Sequence, residues 1–190
     1  GFSPGVAAKV KTGKGTSAFV KSCSSSVNQA TANANRREIK HTQALQGNPR
    51  VPKLLHSFEK ETWVTLIYEI AEGNHPELPW RMDELDFVLN ELAQLSASIT
   101  PCPHPKIFDR LDDNIKGEFN GWNNFASANS VMDLKDKWVG SHLDRLVKLE
   151  NEWPQAAKGN SLVHTDLRAD QIIMTTEKAV FLDWPHAVIG

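Results

Sequence analysis

The chain has 190 residues, of which 40% are hydrophobic and 23% charged, the proportions of an ordinary folded domain, so a function driven by disorder is excluded. A formal net charge of −2, with lysines and arginines scattered among acids, offers no basic field for nucleic acid, and no apolar stretch reaches the length of a membrane span. The two cysteines, Cys23 and Cys102, lie too far apart for a disulfide framework or a metal cluster, and with no signal pattern at the N-terminus a cytoplasmic protein with reduced thiols is expected.

In chain order, Gly1-Phe2-Ser3-Pro4-Gly5 precedes the strand-like run VAAKVKT, and a Gly13-Lys14-Gly15 turn leads to a second run, Ser17-Ala18-Phe19-Val20-Lys21. Together they read as a hairpin with a glycine-bearing segment at its start, and glycine allows a backbone to approach phosphates closely. Lys21 ends an apolar strand, where a lysine is ordinarily solvated along its stem. A helix is predicted from about 31 to 46, stopping at Gly47, with Glu38 between Arg36 and Arg37. For Glu38 alone the ordinary reading is a surface ion pair of small energetic value.

The run from Trp63 to Ile70 predicts a buried strand, rich in β-branched and aromatic residues, with a turn over Phe58 to Glu61 before it. Ala71 to Pro76 is hostile to helix and suits a hinge. From Asp83 to Ser98, the spacing of Leu85, Val88, Leu89, Leu92 and Leu95 predicts a core helix. Pro101 to Pro105 breaks the chain, and 106–129 shows no clean period. A further helix is predicted over Ser130 to Trp153, with Ser130 and Asp133 as its N-terminal cap. Trp80, Trp122, Trp138 and Trp153 are expected to fill cores rather than line a site, and His41, His56, His75, His104 and His142 lack partners at zinc-ligand spacing.

The last thirty residues carry the chemistry. Ser161 to Val163, Gln171 to Met174 and Ala179 to Leu182 are short apolar runs, the last two joined by a polar turn and therefore a predicted β-hairpin. The hairpin's ends lie side by side, so Gln171 and Asp183 should face one pocket, with Asp166 in the loop just before it. Phosphoryl transfer asks little more of a protein than a carboxylate to orient a hydroxyl and oxygen ligands to hold magnesium against phosphates. No G-x-S-x-G elbow is present to make His164 part of a hydrolase.

His164-Thr165-Asp166, then Gln171, then Asp183-Trp184 resembles the catalytic and metal loops of the aminoglycoside phosphotransferase family, a branch of the protein-kinase-like fold. The resemblance implies an α+β, bilobal, protein-kinase-like fold, with a small antiparallel-sheet lobe over 1–70, a hinge over 71–76 and a mainly helical lobe over 77–190. It also implies that segments before Gly1 and after Gly190 are missing, so the fold is expected to be truncated at both ends. By the same resemblance, Asp166 is the catalytic residue that positions or deprotonates an acceptor hydroxyl. Gln171 and Asp183 bind Mg²⁺. Gly1, Ser3, Gly5 and Lys21 hold the phosphates of ATP or another nucleoside triphosphate, Glu38 orients Lys21, and the backbone around Glu69 to Ala71 meets the base. His164 packs beneath the loop. The expected acceptor is a hydroxyl on a small molecule, an aminoglycoside-like antibiotic or a metabolite.

Three departures from the pattern matter. Thr165 stands where protein kinases carry arginine, and Trp184-Pro185 where they carry phenylalanine and glycine, so a phosphorylation-switched activation loop is not expected and Pro185 should stiffen the metal loop. Gln171 replaces the family's asparagine and adds a methylene to a ligand whose magnesium demands near-ideal geometry. That change keeps open the alternative of a nucleotide-binding pseudokinase or interaction module. Arg168 and Asp170, inside the same loop, touch substrate or brace the loop, with bracing the favoured reading.

Overall fold

The computed structural model describes residues 4–13, 15–114, 119–128 and 137–190. It is an α+β arrangement in which a four-stranded antiparallel sheet is built from β1 (Val6–Lys11), β2 (Ser17–Ser24), β3 (Leu54–Lys60) and β4 (Trp63–Tyr68), in the order β1-β2-β4-β3. The first hairpin closes through Gly15, whose positive φ of 84° suits a residue without a side chain, and whose amide donates to the Thr12 carbonyl at 2.9 Å. The register pairs Lys21 with Leu66 and Phe19 with Tyr68. Because side chains alternate along a strand, Phe19, Lys21 and Cys23 share a face with Val64, Leu66 and Tyr68.

Helix α1 (Gln29–Ala44) crosses that face. Asn28 caps it, its side-chain oxygen accepting the Thr31 amide at 2.8 Å, and the chain leaves it through Gly47 at φ 98°. Asn35 on α1 donates to the Val64 carbonyl at 3.3 Å, which places Glu38, one turn further on, over the middle of the sheet. Leu54, Leu66 and Tyr68 form the core beneath, with Phe19 and Ile39 packed against them.

Past β4 the chain runs on to Gly73 and docks on a second, larger substructure. Its helices are α2 (Met82–Ser98), the short α3 (Leu111–Asn114), α4 (Gly121–Ser127) and α5 (Lys137–Ala156). Two small antiparallel pairs complete it: β5 (Leu162–Val163) with β8 (Val188–Ile189), and β6 (Ile172–Met174) with β7 (Ala179–Phe181). The larger core lies here, where Val88, Leu95 and Ile99 from α2 and its end meet Ile172, Phe181 and Trp184, and Leu45 and Val51 join it from the segment after α1. Helix α4 docks on α5 through Glu150, whose carboxylate accepts the amides of Trp122 and Asn123 at 3.0 and 2.7 Å at the N-terminus of α4.

Several expectations need correcting. Phe58 to Lys60 is strand, not turn: β3 runs to Lys60 and only Glu61 (φ 55°) and Thr62 make the bend. As an edge strand it is exposed along most of its length and shows no alternation. The strand expected to run to Ile70 ends at Tyr68. The cap residues proposed for the last long helix, Ser130 and Asp133, fall outside the described residues. Two tryptophans expected in cores are not there, since Trp138 is 59% exposed and Trp122 37%, while the fully buried one is Trp184. Strand β8 was not expected at all; two residues carry no periodicity to read.

Candidate active site

Lys21 is the centre of an ion cluster between the sheet and the C-terminal hairpin. Its ammonium lies 2.8 and 3.0 Å from the two carboxylate oxygens of Glu38 and 2.7 Å from Oδ1 of Asp183. Glu38, 2% exposed, also accepts the Tyr68 hydroxyl at 3.0 Å. Burial works against the charge on Lys21, yet Glu38 and Asp183 more than offset it and hold its pKa above the usual lysine value. Burial pushes Glu38 above the usual carboxylate range, with Lys21 countering only in part. Tyr68 is likewise raised by burial and by the Glu38 charge, so it stays a neutral hydrogen-bond donor. Arg36 does not compete for Glu38; it pairs with Glu59 at 2.9 Å on the surface.

Asp166 and Asp183 converge on one group. The Gln171 amide nitrogen donates to Asp166 Oδ2 at 3.1 Å and to Asp183 Oδ2 at 3.2 Å, so the two acids are held within the span of two hydrogen bonds. The Gln171 side-chain oxygen, Oε1, is buried without a partner, whereas its backbone carbonyl accepts the Leu182 amide at 2.8 Å. A buried acceptor left unpaired costs on the order of 1–3 kcal/mol. Asp166 Oδ1 accepts from Arg168 Nη1 at 2.7 Å, and Arg168 Nε donates to Asp170 at 3.1 Å, so Arg168 braces the loop.

The loops that aim these acids are tightly held. Thr165 and Asp183 both have positive φ, 63° and 68°. For a β-branched threonine that is a true outlier, and such strain persists only where the surroundings impose it. Here the Thr165 hydroxyl donates to the His186 carbonyl at 2.8 Å, and the His164 Nε2–H donates to the Leu182 carbonyl at 2.7 Å while its ring meets Trp184 edge-on. His164 thus lies beneath the loop as expected. From α1, His41 Nδ1–H donates to the Trp184 carbonyl at 2.8 Å and Arg37 to the Pro185 carbonyl at 3.2 Å, tying the segment after Asp183 to the helix that carries Glu38.

A cleft of about 360 Å³ opens beside the cluster, lined by Phe19, Lys21, Tyr68, Ile70, Leu182 and Asp183 among others, with Glu69 and Ala71 on the connecting segment. The Glu69 side chain is turned to Lys53 at 3.1 Å, and its backbone amide donates to the Lys53 carbonyl at 3.0 Å. Gly73 closes the floor: a Cβ there would lie 2.1 Å from the Met174 carbonyl, and Asn74 and Met174 exchange backbone hydrogen bonds of 3.0 and 2.8 Å. A larger cavity of about 610 Å³ lies behind the connecting segment, between Gly47–Pro52 and the turn at Thr175–Lys178, and holds none of the clustered acids.

Of the residues expected at the site, Lys21, Glu38, Asp166, Gln171 and Asp183 come together, and Glu69 and Ala71 line the adjoining cleft. Gly5 lies just before β1, whose first residue Val6 pairs with Ser22; a Cβ on Gly5 would sit 2.8 Å from the Ser22 carbonyl. Gly1 and Ser3 lie outside the described residues. Tyr68, His41 and Arg37 were not anticipated. Tyr68 was legible as the chain's one tyrosine, in step with the buried Val64 and Leu66; the other two act through backbone carbonyls far away in sequence.

Among the described residues, no group of three or more His, Cys, Asp or Glu side chains could hold a metal by itself, and no helix is long and apolar enough to cross a membrane. No protein-family model matches the chain. It is similar to the Protein LicA homolog of Mycoplasma capricolum subsp. capricolum, with 26% identity over 140 residues that cover 74% of this chain and 50% of that protein. The chain therefore spans about half the length of the curated relative it matches.

Proposed function

We propose that this chain is the nucleotide-binding and catalytic part of an ATP-dependent phosphotransferase acting on a hydroxyl of a small molecule, with a protein-kinase-like division into a sheet lobe (1–70), a hinge (71–76) and a mainly helical lobe (77–190). The observation that carries this reading is the meeting of Lys21, Asp183 and Asp166 beside a cleft that runs to the connecting segment. The similarity to the LicA homolog lends weight to a kinase-like phosphotransferase.

In this reading Lys21, held by Glu38, contacts the phosphates, and the apolar walls at Phe19, Ile70 and Leu182 take the base. Asp166 receives the acceptor's hydroxyl. The acceptor oxygen bonds to the γ-phosphorus as the bond from that phosphorus to the β,γ-bridging oxygen breaks; ADP departs with that electron pair, and the hydroxyl proton passes to an Asp166 oxygen. Asp183 and, with its side-chain amide turned, Gln171 would hold Mg²⁺, since both offer hard oxygen ligands. Such an ion would neutralise charge on the phosphates. The acceptor is proposed only as a hydroxyl-bearing small molecule, antibiotic or metabolite.

One observation favours a non-catalytic nucleotide-binding module instead: it is the nitrogen of Gln171, not its oxygen, that faces both acids. Titration of ATP with and without Mg²⁺, followed by ATP consumption across a panel of aminoglycosides and small alcohols, separates the two. An enzyme consumes ATP with a matching acceptor and loses that activity, but not ATP binding, in Asp166→Ala. Binding without consumption on any acceptor supports the module, and failure to bind a nucleotide overturns both.

A further inference from the structure

The cavity of about 610 Å³ behind the connecting segment takes no part in the catalytic cluster, and its volume is that of a small-molecule site. Its walls are held apart by hydrogen bonds of their own. On one side the Asn48 side chain donates to the Ser98 hydroxyl at 2.9 Å and accepts the Arg50 amide at 3.0 Å, which fixes the segment after α1. On another, the turn from Thr175 to Lys178 is closed by the Thr175 amide and hydroxyl, which donate to the Lys178 carbonyl at 2.8 and 2.9 Å. The third wall is the connecting segment. It is pinned at Glu69, on the Lys53 carbonyl, and at Asn74, on Met174, with no backbone hydrogen bond at Ile70, Ala71 or Glu72 among the described residues.

The lining selects a class of ligand. Leu45, Val51 and Val180 give the cavity an apolar floor, and its rim sets the carboxylates of Glu69, Glu72 and Glu177 against the ammoniums of Lys53 and Lys178. Lys53 is spent on Glu69 at 3.1 Å. The side chains of Glu72, Glu177 and Lys178 have no hydrogen-bond or ion-pair partner among the described residues. The antiparallel bridge between Asn74 and Met174 brings Glu72 toward the turn that carries Glu177, so both unpaired acids belong to one stretch of rim. An excess of acid above an apolar floor suits a cation with a hydrocarbon body. A bare metal ion does not suit it, since no group of three or more His, Cys, Asp or Glu side chains among the described residues could hold one.

We propose that this cavity is a second binding site, for an amphipathic organic cation whose ammonium meets Glu72 and Glu177 and whose apolar body lies on Leu45, Val51 and Val180. Pro52, Glu69, Ile70 and Ala71 line this cavity and the cleft beside Lys21 alike, so the connecting segment is a wall common to both. A molecule seated behind that wall holds in place backbone that a nucleotide must otherwise order, and each ligand then favours the binding of the other. The site stands on the cavity alone, whereas its effect on nucleotide rests on the function proposed above.

The probes are phenethylammonium, tryptammonium and, as the anionic control, phenylpropionate, titrated at low salt into the isotope-labelled chain while amide shifts are followed by NMR. At least one of the two cations is expected to saturate with a Kd on the order of 1 mM and to shift the amides of Gly47, Glu72 and Thr176, with the anion leaving them in place. In Glu72→Gln/Glu177→Gln the same cation is expected to bind about fivefold more weakly, the upper end for exposed ion pairs. With the cation at saturation, ADP with Mg²⁺ is expected to bind about fivefold more tightly to the wild-type chain. No saturable shift with either cation, equal binding of the anion, unchanged affinity in the double variant, or shifts confined to the loop of Asp166 and Asp170 overturns the site. Unaltered ADP affinity overturns its link to the cleft. A chain that binds the cation but no ADP keeps the site and defeats the proposed function instead. Thermal melting checks that the double variant is folded; if it is not, Glu72→Gln alone decides.

Discussion

Lys21 and Asp183, 162 positions apart in the chain, meet at 2.7 Å, and this contact joins the four-stranded sheet to the loop that follows the C-terminal hairpin. Lys21 therefore belongs to both halves of the site, and its partners depend on it unequally. Asp183 is part-exposed, but Glu38, on α1, is buried against the sheet.

Removing Lys21 should expose that inequality. In Lys21→Met, Glu38 is left buried with the Tyr68 hydroxyl as its remaining side-chain donor, and breaking a buried pair this way costs roughly 3–5 kcal/mol. The double variant Lys21→Met/Glu38→Leu should recover much of the loss in urea denaturation. In the single variant, stability should rise as pH falls from about 8 to 5, because a buried carboxylate with a raised pKa is relieved by taking up a proton. A double variant no more stable than the single one would show that Glu38 is not strained by the loss.

The two buried histidines should contribute to the wild-type chain's pH response in the opposite sense. His41 and His164 are both held below the ordinary histidine value of 6.5, by burial first, with their bonds to the Trp184 and Leu182 carbonyls opposing it. A folded state that resists protonation binds fewer protons than the unfolded chain, so stability is full above pH 6.5 and falls as pH drops below it. Each group contributes a slope of at most about 1.4 kcal/mol per pH unit. Urea midpoints measured between about pH 7.5 and 5.5 should fall, and His41→Gln should flatten the curve.

Gly73 tests the joint between the two halves. Gly73→Ala sets a methyl against the Met174 carbonyl and must push the connecting segment off β6, at a cost of about 1–3 kcal/mol. The amides of Asn74 and Met174 should then lose hydrogen-exchange protection, whereas those of β1 and β2 should keep theirs. Unchanged protection at Asn74 would mean that the contact is made some other way.

Gln171 tests the metal. In Gln171→Asn the shorter side chain restores the resembled family's ligand, and Mg²⁺ titrated into the nucleotide-bound protein should bind more tightly, by about tenfold, the lower end of what even outer-shell changes produce. Unchanged Mg²⁺ affinity in both Gln171→Asn and Gln171→Leu would reduce Gln171 to a brace for the two acids.

What the sequence determined by itself was local and patterned. The hairpin of β6 and β7 sets Gln171 and Asp183 at neighbouring ends because antiparallel pairing forces them there, and the spacing from Asp166 to Gln171 is one loop. The period of Leu85, Val88, Leu89, Leu92 and Leu95 was enough for α2, although Leu89 lies on its exposed side. Glu38 and Lys21 could be paired only through a resemblance, since nothing within α1 separates a buried glutamate from the exposed arginines beside it.

The tertiary structure decided the rest. It chose the face of α1 that covers the sheet, sent Arg36 to Glu59 and Glu38 to Lys21, placed Trp184 in the core, and bent Thr165 and Asp183 into left-handed backbone. Those outcomes depend on which carbonyl, ring or carboxylate arrives from a distant segment. A linear pattern of polar and apolar residues records that a side chain is to be buried, but not the partner that makes its burial tolerable.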